Sequence, residues 1–424
     1  MSEIHIGGFR RLRGEIPIQG SKNGVLPMMA ASVLSDETTV LTNVPAIQDV
    51  DCMMGILKFM GCRCTLEAGT LTIDPSGMKE TMLPECYVRQ MRSSIVLLGA
   101  MLGRFGQAAT CYPGGCSIGK RPVDFHIMAL RSMGARISEE DGRITARAEL
   151  LTGSVARLPY PSVGATENAI LAAVTARGTT VIQGAAREPE IQELCGFLNA
   201  MGAEVRGGGT GEILIQGKRR LHGCCYQVPG DRIVAGTYLI AAMAGKGEVR
   251  LNGVNPEHLF AVSDALTAAG AEIEKGKDFI SVVMKERPQA ISIATEPYPG
   301  FPTDLQSPLL ALLCCGQGES RICENVFEGR YETAAELCKL GADIRVSGNT
   351  AVVFGKDGLE GGYSQAKDLR GGAALVIAGL MARGETIISD CFHIERGYED
   401  ICRDLRMAGA DIQWQEERPK EKEE

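Results

Sequence analysis

No apolar run in the 424-residue chain is long enough to cross a bilayer. The longest, such as Ala373 to Ala382, are about ten residues, half of what a spanning helix needs. Residues 1–20 contain no apolar h-region, so no signal peptide is expected. Basic charge is scarce too. Lys and Arg number 44 against 52 Asp and Glu, a formal net charge of −8, whereas a dedicated nucleic-acid binder usually carries a basic face. An anionic small substrate stays open, because a local arginine cluster overrides the global sign. No Cys-x-x-Cys pair with histidine partners occurs, so a zinc site is not expected. The fifteen cysteines stand singly or as Cys224-Cys225 and Cys314-Cys315 inside apolar stretches. An odd count in a long chain suits a reducing cytosol, with most thiols acting as small buried hydrophobes. The expectation is a cytoplasmic protein with no metal, no nucleic-acid partner and no membrane contact.

Hydrophobic residues make up 45% and charged residues 23%, the balance of a folded chain. The length exceeds one ordinary core and predicts two domains. A phrase ending in Gly-Ala or Gly-Cys recurs six times, at Gly61, Gly134, Gly202, Gly270, Gly341 and Gly409, with spacings of 73, 68, 68, 71 and 68 residues. A glycine after the last periodic residue signals a helix C-terminus. The phrase after it alternates and turns, as in 342–354, where Gly348-Asn349 marks a hairpin. Read backwards, each unit is strand–helix–strand–helix–strand–strand, a βαβαββ-type α/β repeat. Six such units stack openly or close as two sets of three. Two sets of three fit the two-domain expectation: 22–229, then 1–21 plus 230–416, with 417–424 as a disordered charged tail. A single N-terminal strand over 4–18 is expected to complete the last unit.

Aligned by repeat, the strand–loop–helix position is short in units three to six. Unit two carries the longer stretch Tyr112 to Asp124 instead, with Cys116 between glycines and Lys120-Arg121 beside it. Glycines allow movement, and a thiol near cations ionises more readily. Gly114 to Lys120 has the spacing of a phosphate-binding P-loop, but Arg121 stands where Ser or Thr must hold magnesium. Gly20-Ser21-Lys22-Asn23 precedes the first helix, expected over 24–34. It reads either as a capping turn on Ser21 or Asn23 or as a phosphate site using the helix dipole. Asp304, after Tyr298-Pro-Gly-Phe-Pro-Thr, reads as an N-cap or as a base aimed at a hydroxyl. Arg92, Arg232 and Arg370 stand at helix starts, with Arg396 in a loop of unit six. That placement opposes the dipole and suggests guanidinium groups gathered on anions, with solvated surface arginine as the plain alternative.

Together these phrases resemble the enolpyruvyl transferase family, over residues 3 to 416. The matching motifs are Gly-Ser-Lys-Asn, Met91-Arg-Ser-Ser-Ile, Pro113 to Asp124, Pro161-Ser-Val-Gly-Ala-Thr-Glu, Arg187-Glu-Pro-Glu-Ile, Pro299-Gly-Phe-Pro-Thr-Asp and Arg396-Gly-Tyr, in the family's order. The resemblance implies an inside-out α/β barrel of two domains, each with threefold internal repetition. It implies transfer of the enolpyruvyl group of phosphoenolpyruvate to the 3-hydroxyl of UDP-N-acetylglucosamine, with release of phosphate and no cofactor. By motif, Lys22 and Asn23 would hold phosphoenolpyruvate, with Arg121 and Arg396 on its anionic groups and Arg370 nearby. Arg92, Arg121, Pro122, Val123, Asp124, Phe125, Tyr160, Pro161, Ser162, Val163, Asp304 and Val326 would bind the UDP-sugar, and Asp368 opens the helix of Arg370. Catalysis would fall to Cys116 as general acid, Asp304 as base, Lys22 and Arg396. Cys116 would also be the target of fosfomycin. Three departures from the family pattern are Ser21 in place of a common alanine, Pro229-Gly230-Asp231 in place of a proline directly before the aspartate, and Gly371-Gly372 after Arg370.

Overall fold

The computed structural model describes residues 2–115, 118–119 and 121–416. Cys116, Ser117, Lys120 and the tail 417–424 lie outside these, and so do the expectations placed on them. The chain is α/β and divides into two units. One comprises Gly20–Cys116 and Arg121–Pro229, the other Met1–Gln19, Ser117–Lys120 and Gly230–Glu424.

In the 20–229 unit three helices are buried on nearly every side: Lys22–Ser32, Leu97–Phe105 and Val163–Ala173. Their sequences explain it, since a helix that is apolar all round has no face to give to water. A second set, Gln48–Phe59, Asp124–Ser132 and Pro189–Ala200, keeps one buried stripe each. Strands alternate buried and exposed positions, as in Glu212–Gln216, and so present one face to the core. Three sheets result among the described residues. They run Cys225–Gln227, Thr39–Thr42, Thr70–Asp74, Arg63–Glu67, then Gln107–Cys111, Arg143–Arg147, Arg136–Glu140, and Glu204–Arg206, Glu212–Gln216, Thr179–Gln183, Val155–Arg157. The apolar core of this unit, from Val25 to Val228, is drawn wholly from its own residues.

The 230–424 unit has the same composition of parts. Arg232–Ala244, Gln306–Leu313 and Leu369–Met381 are the fully buried helices, and Phe260–Ala268, Glu332–Lys339 and Ile401–Met407 the half-buried ones. Each repeated glycine sits just past a half-buried helix with φ between +90° and +104°, a backbone region that glycine enters without the strain a Cβ brings. An antiparallel strand pair follows five of the six. At Gly348, φ +58°, the pair Asp343–Ser347 and Thr350–Phe354 turns over two residues.

The N-terminal segment differs from the single strand expected over 4–18. It forms two strands, Ser2–Gly7 and Arg13–Pro17, in different sheets. The first pairs with Glu385–Ser389 and Asp411–Glu416, the second in parallel with Glu248–Asn252. Gly8 follows the first strand and admits no side chain, because a Cβ there would lie 1.7 Å from the Ala382 carbonyl oxygen. The first helix also begins earlier than expected, at Lys22.

Candidate functional site

In the 20–229 unit the first helix starts at Ser21, whose Oγ accepts from the Gly24 N–H at 3.1 Å. Ser21, and not Asn23, is the cap. Gly20 before it admits no side chain, since a Cβ would meet the Asn43 carbonyl oxygen at 1.8 Å. Lys22 is therefore the first helical residue, with Asn23 half-buried next to it. Lys22 Nζ donates to Asp49 Oδ2 at 3.0 Å. Asp49 is buried in the first turn of Gln48–Phe59, where a carboxylate suits the positive end of the dipole. Glu167, in the buried helix Val163–Ala173, has its carboxyl pushed up to about 8. Burial is the main cause, Glu190 and Glu188 add to it, and Lys22 opposes it.

Arg92 opens the 3₁₀ turn Arg92–Val96 that leads into Leu97–Phe105. Its Nη2 donates to the Arg121 carbonyl and, at 3.2 Å, to the Pro122 carbonyl. Burial and the charge of Arg121 lower its guanidinium to about 10. The sequence motifs at 92 and at 121–122 thus meet through backbone carbonyls. Asp124 opens the helix Asp124–Ser132, with Val123 buried and Phe125 half-buried. A cavity of about 420 Å³ lies beside it, lined by Tyr112, Pro122, Val123, Asp124, Ile127 and Arg131 among others. Ser162 caps Val163–Ala173 through an Oγ contact to the Ala165 N–H at 3.4 Å, with Tyr160 exposed and Pro161 and Val163 half-buried.

In the 230–424 unit Asp304 is not a helix N-cap. It lies within the 3₁₀ turn Thr303–Leu305, whose N-cap is Pro302, and the helix that follows is capped by Leu305. Its Oδ1 accepts from Arg330 Nη2, and its Oδ2 from Arg370 Nη2 at 3.1 Å. Asp368 caps Leu369–Met381 through the Arg370 and Gly371 N–H groups, at 2.9 and 3.1 Å. Arg370 Nη1 donates to Tyr398 Oη at 3.3 Å. Arg370 is almost wholly buried, which opposes its charge, but Asp304, Tyr398 and Asp231 outweigh burial and raise it above the ordinary arginine value. Arg330, equally buried, also donates to Thr303 Oγ1 at 3.2 Å and stacks on Phe327 with its carbon 5.5 Å from the ring centre. Val326 is half-buried on the next loop, its N–H held by Glu324 Oε1 at 2.8 Å. Arg396 is half-buried at the end of the short helix Phe392–Glu395. Arg232, read above as one of the anion-seeking arginines, lies 5.6 Å from the Tyr298 ring centre, a cation–π pairing.

Asp304, Arg370 and Asp368 are thus brought together, as are Arg92, Arg121 and Pro122. Sequence reasoning missed Arg330 and Asp49. Each lies well away in sequence from the residue it holds, and the one signal was a charged residue inside an otherwise apolar or glycine-flanked phrase.

A family model described as EPSP synthase (3-phosphoshikimate 1-carboxyvinyltransferase) matches residues 6–405. The chain is 44% identical over 413 residues to UDP-N-acetylglucosamine 1-carboxyvinyltransferase 2 of Caldanaerobacter subterraneus subsp. tengcongensis, covering 97% of this chain and 99% of that one. It is 45% identical over 415 residues to the enzyme of the same name from Mesorhizobium japonicum, with the same coverage. Among solved structures, the enolpyruvyl transferase NikO from Streptomyces tendae shares the fold, with TM-score 0.88 at 24% identity over 97% of this chain and 98% of that one. An EPSP synthase from Acinetobacter baumannii does so at TM-score 0.74 and 21% identity, over 98% and 100% of the two chains. With a family model matched over residues 6–405 and relatives 44–45% identical along almost their whole length, the chain belongs to the EPSP synthase family of enolpyruvyl transferases.

Proposed function

We propose that this chain transfers the enolpyruvyl group of phosphoenolpyruvate to the 3-hydroxyl of UDP-N-acetylglucosamine and releases phosphate, the first committed step of peptidoglycan synthesis. One observation carries the reading. Relatives 44–45% identical over 97% of the chain bear the UDP-N-acetylglucosamine name, whereas the EPSP synthase structure is 21% identical. Cys116 in Pro113-Gly-Gly-Cys116 supports the same choice over the shikimate 3-phosphate reaction.

The residue roles in this reading are those that the motif resemblance implies. Asp304 takes the proton of the sugar hydroxyl as its oxygen attacks C2 of phosphoenolpyruvate. Cys116 gives its thiol proton to C3, forming a tetrahedral intermediate with a new methyl group. Return of that C3 proton to the thiolate and cleavage of the C2–O bond to phosphate then yield the enolpyruvyl ether and restore the thiol, while Asp304 passes its proton to the departing phosphate. Lys22, Arg121 and Arg396 offset the charge on phosphate and carboxylate, with Asn23 and Arg370 beside them. Arg92, Pro122 to Phe125, Tyr160 to Val163 and Val326 hold the UDP-sugar, while Asp368 keeps Arg370 in place. The Lys22–Asp49 and Asp304–Arg370 bonds support these assignments, because each proposed group is already oriented by a buried neighbour. Fosfomycin would alkylate Cys116, and the enzyme would work in the cytoplasm. We further read the two units as domains of an inside-out barrel, three βαβαββ-type repeats each, divided at 22–229 and 1–21 plus 230–416.

Incubation of the purified protein with both substrates and measurement of phosphate tests the reading. Release is expected from wild type, with none from Cys116→Ala and none when shikimate 3-phosphate replaces the UDP-sugar. Equal release from Cys116→Ala and wild type would sink the mechanism.

A further inference from the structure

Asn168 lies on the helix Val163–Ala173 with no exposed surface, and its amide is used in full. Nδ2 donates to the Ile95 carbonyl at 2.9 Å and stands 2.9 Å from His126 Nδ1, while Oδ1 accepts from the Gly99 N–H at 2.5 Å. The amide cannot be flipped, because Ile95 offers an acceptor and Gly99 a donor. Both amide hydrogens are then given away, so His126 Nδ1 accepts and the ring proton sits on Nε2. His126 is buried too. Burial first, then Arg92 and Arg121, lower it to about 3, so the ring stays neutral across the working range.

The packing leaves no slack. A Cβ on Gly99 would lie 2.4 Å from Asn168 Oδ1, and one on Gly164 would lie 3.0 Å from His126 Cε1. Ile95 belongs to the turn that begins at Arg92. His126 follows Phe125 on the helix that begins at Asp124. Gly164 follows Val163. Three segments distant in sequence are therefore joined through one amide and one imidazole. Each carries residues assigned above to the UDP-sugar.

We propose that Asn168 and His126 are positioning residues for the nucleotide-sugar half of the site, setting the mutual placement of Arg92, of Pro122 to Phe125 and of Pro161 to Val163. The proposal rests on the assignment of these segments to UDP-N-acetylglucosamine. Both side chains are buried, so they act through the segments they hold. Truncating Asn168 removes at once a donor to the Ile95 carbonyl, the side-chain acceptor of the Gly99 N–H and the partner of His126 Nδ1, a cost that the segments relieve by shifting apart.

The test measures UDP-N-acetylglucosamine affinity by calorimetry without phosphoenolpyruvate, the KM for each substrate, kcat and the thermal midpoint. Asn168→Ala and His126→Leu are expected to weaken UDP-sugar binding and raise its KM by about tenfold. The KM for phosphoenolpyruvate should stay within about threefold. His126→Gln, whose side-chain carbonyl can accept from Asn168 Nδ2, is expected to remain within about threefold of wild type. Equal losses in His126→Gln and His126→Leu, a parallel rise in both KM values, or wild-type affinity in Asn168→Ala would each overturn the proposal. If those variants do not fold, Asn168→Asp decides. It keeps the shape but offers His126 Nδ1 no donor, so the ring proton should move to Nδ1 in ¹⁵N spectra and binding should weaken. A moved proton with wild-type binding overturns the proposal. Wild-type protein that binds no UDP-N-acetylglucosamine overturns the functional reading itself, and this proposal with it, whereas wild-type binding with unaffected variants overturns the proposal alone.

Discussion

Arg370 Nη2 donates to Asp304 Oδ2 at 3.1 Å, so the carboxylate proposed as the base is gripped by an arginine proposed for the substrate anion. Arg330 takes the other carboxylate oxygen. A base whose two oxygens are each fixed by a guanidinium has its orientation set before substrate arrives. That lowers the entropy lost in reaching a reactive geometry. The ion pairs also couple substrate binding to the base, because an anion that recruits Arg370 changes what Asp304 is bonded to.

Arg330→Met should therefore act on rate more than on folding. Asp304 keeps one cation and some solvent access, so the loss of stability is expected at about 2 kcal/mol, below that for a fully buried pair. Misorientation of the base should lower kcat/KM by about a hundredfold. Urea unfolding and phosphate release measure the two effects. Wild-type kcat/KM in a folded Arg330→Met protein would show that Arg330 does not set the base.

Asp49 plays the matching part for Lys22, at 3.0 Å and buried at a helix start. Asp49→Ala is expected to raise the KM for phosphoenolpyruvate by about tenfold and to leave the KM for the UDP-sugar nearly unchanged. An increase confined to the UDP-sugar would mean that Lys22 serves the other substrate.

How far the sequence disclosed these arrangements follows from the range of the forces involved. The glycines at 61, 134, 202, 270, 341 and 409 were legible because a helix end with positive φ is a local requirement, met by one residue type. The alternating strands were legible for the same reason. The division of the N-terminal segment into two strands was not, since each pairs with strands hundreds of residues away. Asp304 looked like a cap because local spacing allows one. Its actual partners, at 330 and 370, are supplied by the tertiary fold. Lys22 and Arg92 could be singled out as residues placed against a helix dipole, but Asp49 and Asn168 could not, because nothing local marks a buried polar residue as a partner rather than a cap.

Cys116→Asp should retain phosphate release, because a carboxylic acid also donates a proton to C3. The same variant should resist fosfomycin, having lost the thiol nucleophile. Incubation with fosfomycin followed by the phosphate assay and intact-mass measurement checks both outcomes. Inactivation with an added fosfomycin mass in Cys116→Asp would move the target elsewhere.

Glu167 offers a pH signature independent of activity. Its carboxyl is ordinary at 4.5 in the unfolded chain and raised to about 8 in the folded one, through burial and the neighbouring Glu190 and Glu188. Between those values the folded state holds a proton that the unfolded state has released. Linkage then makes stability fall as pH rises from 4.5 to 8, with the contribution complete below 4.5. Glu167→Gln keeps the neutral shape and removes the proton. Its stability relative to wild type should grow by at least about 1.4 kcal/mol between pH 5 and pH 8, the worth of one pKa unit. Urea midpoints at both pH values measure the difference. Parallel profiles for the two proteins would mean that Glu167 is ionised in the folded state at neutral pH, with Lys22 rather than a proton offsetting its charge.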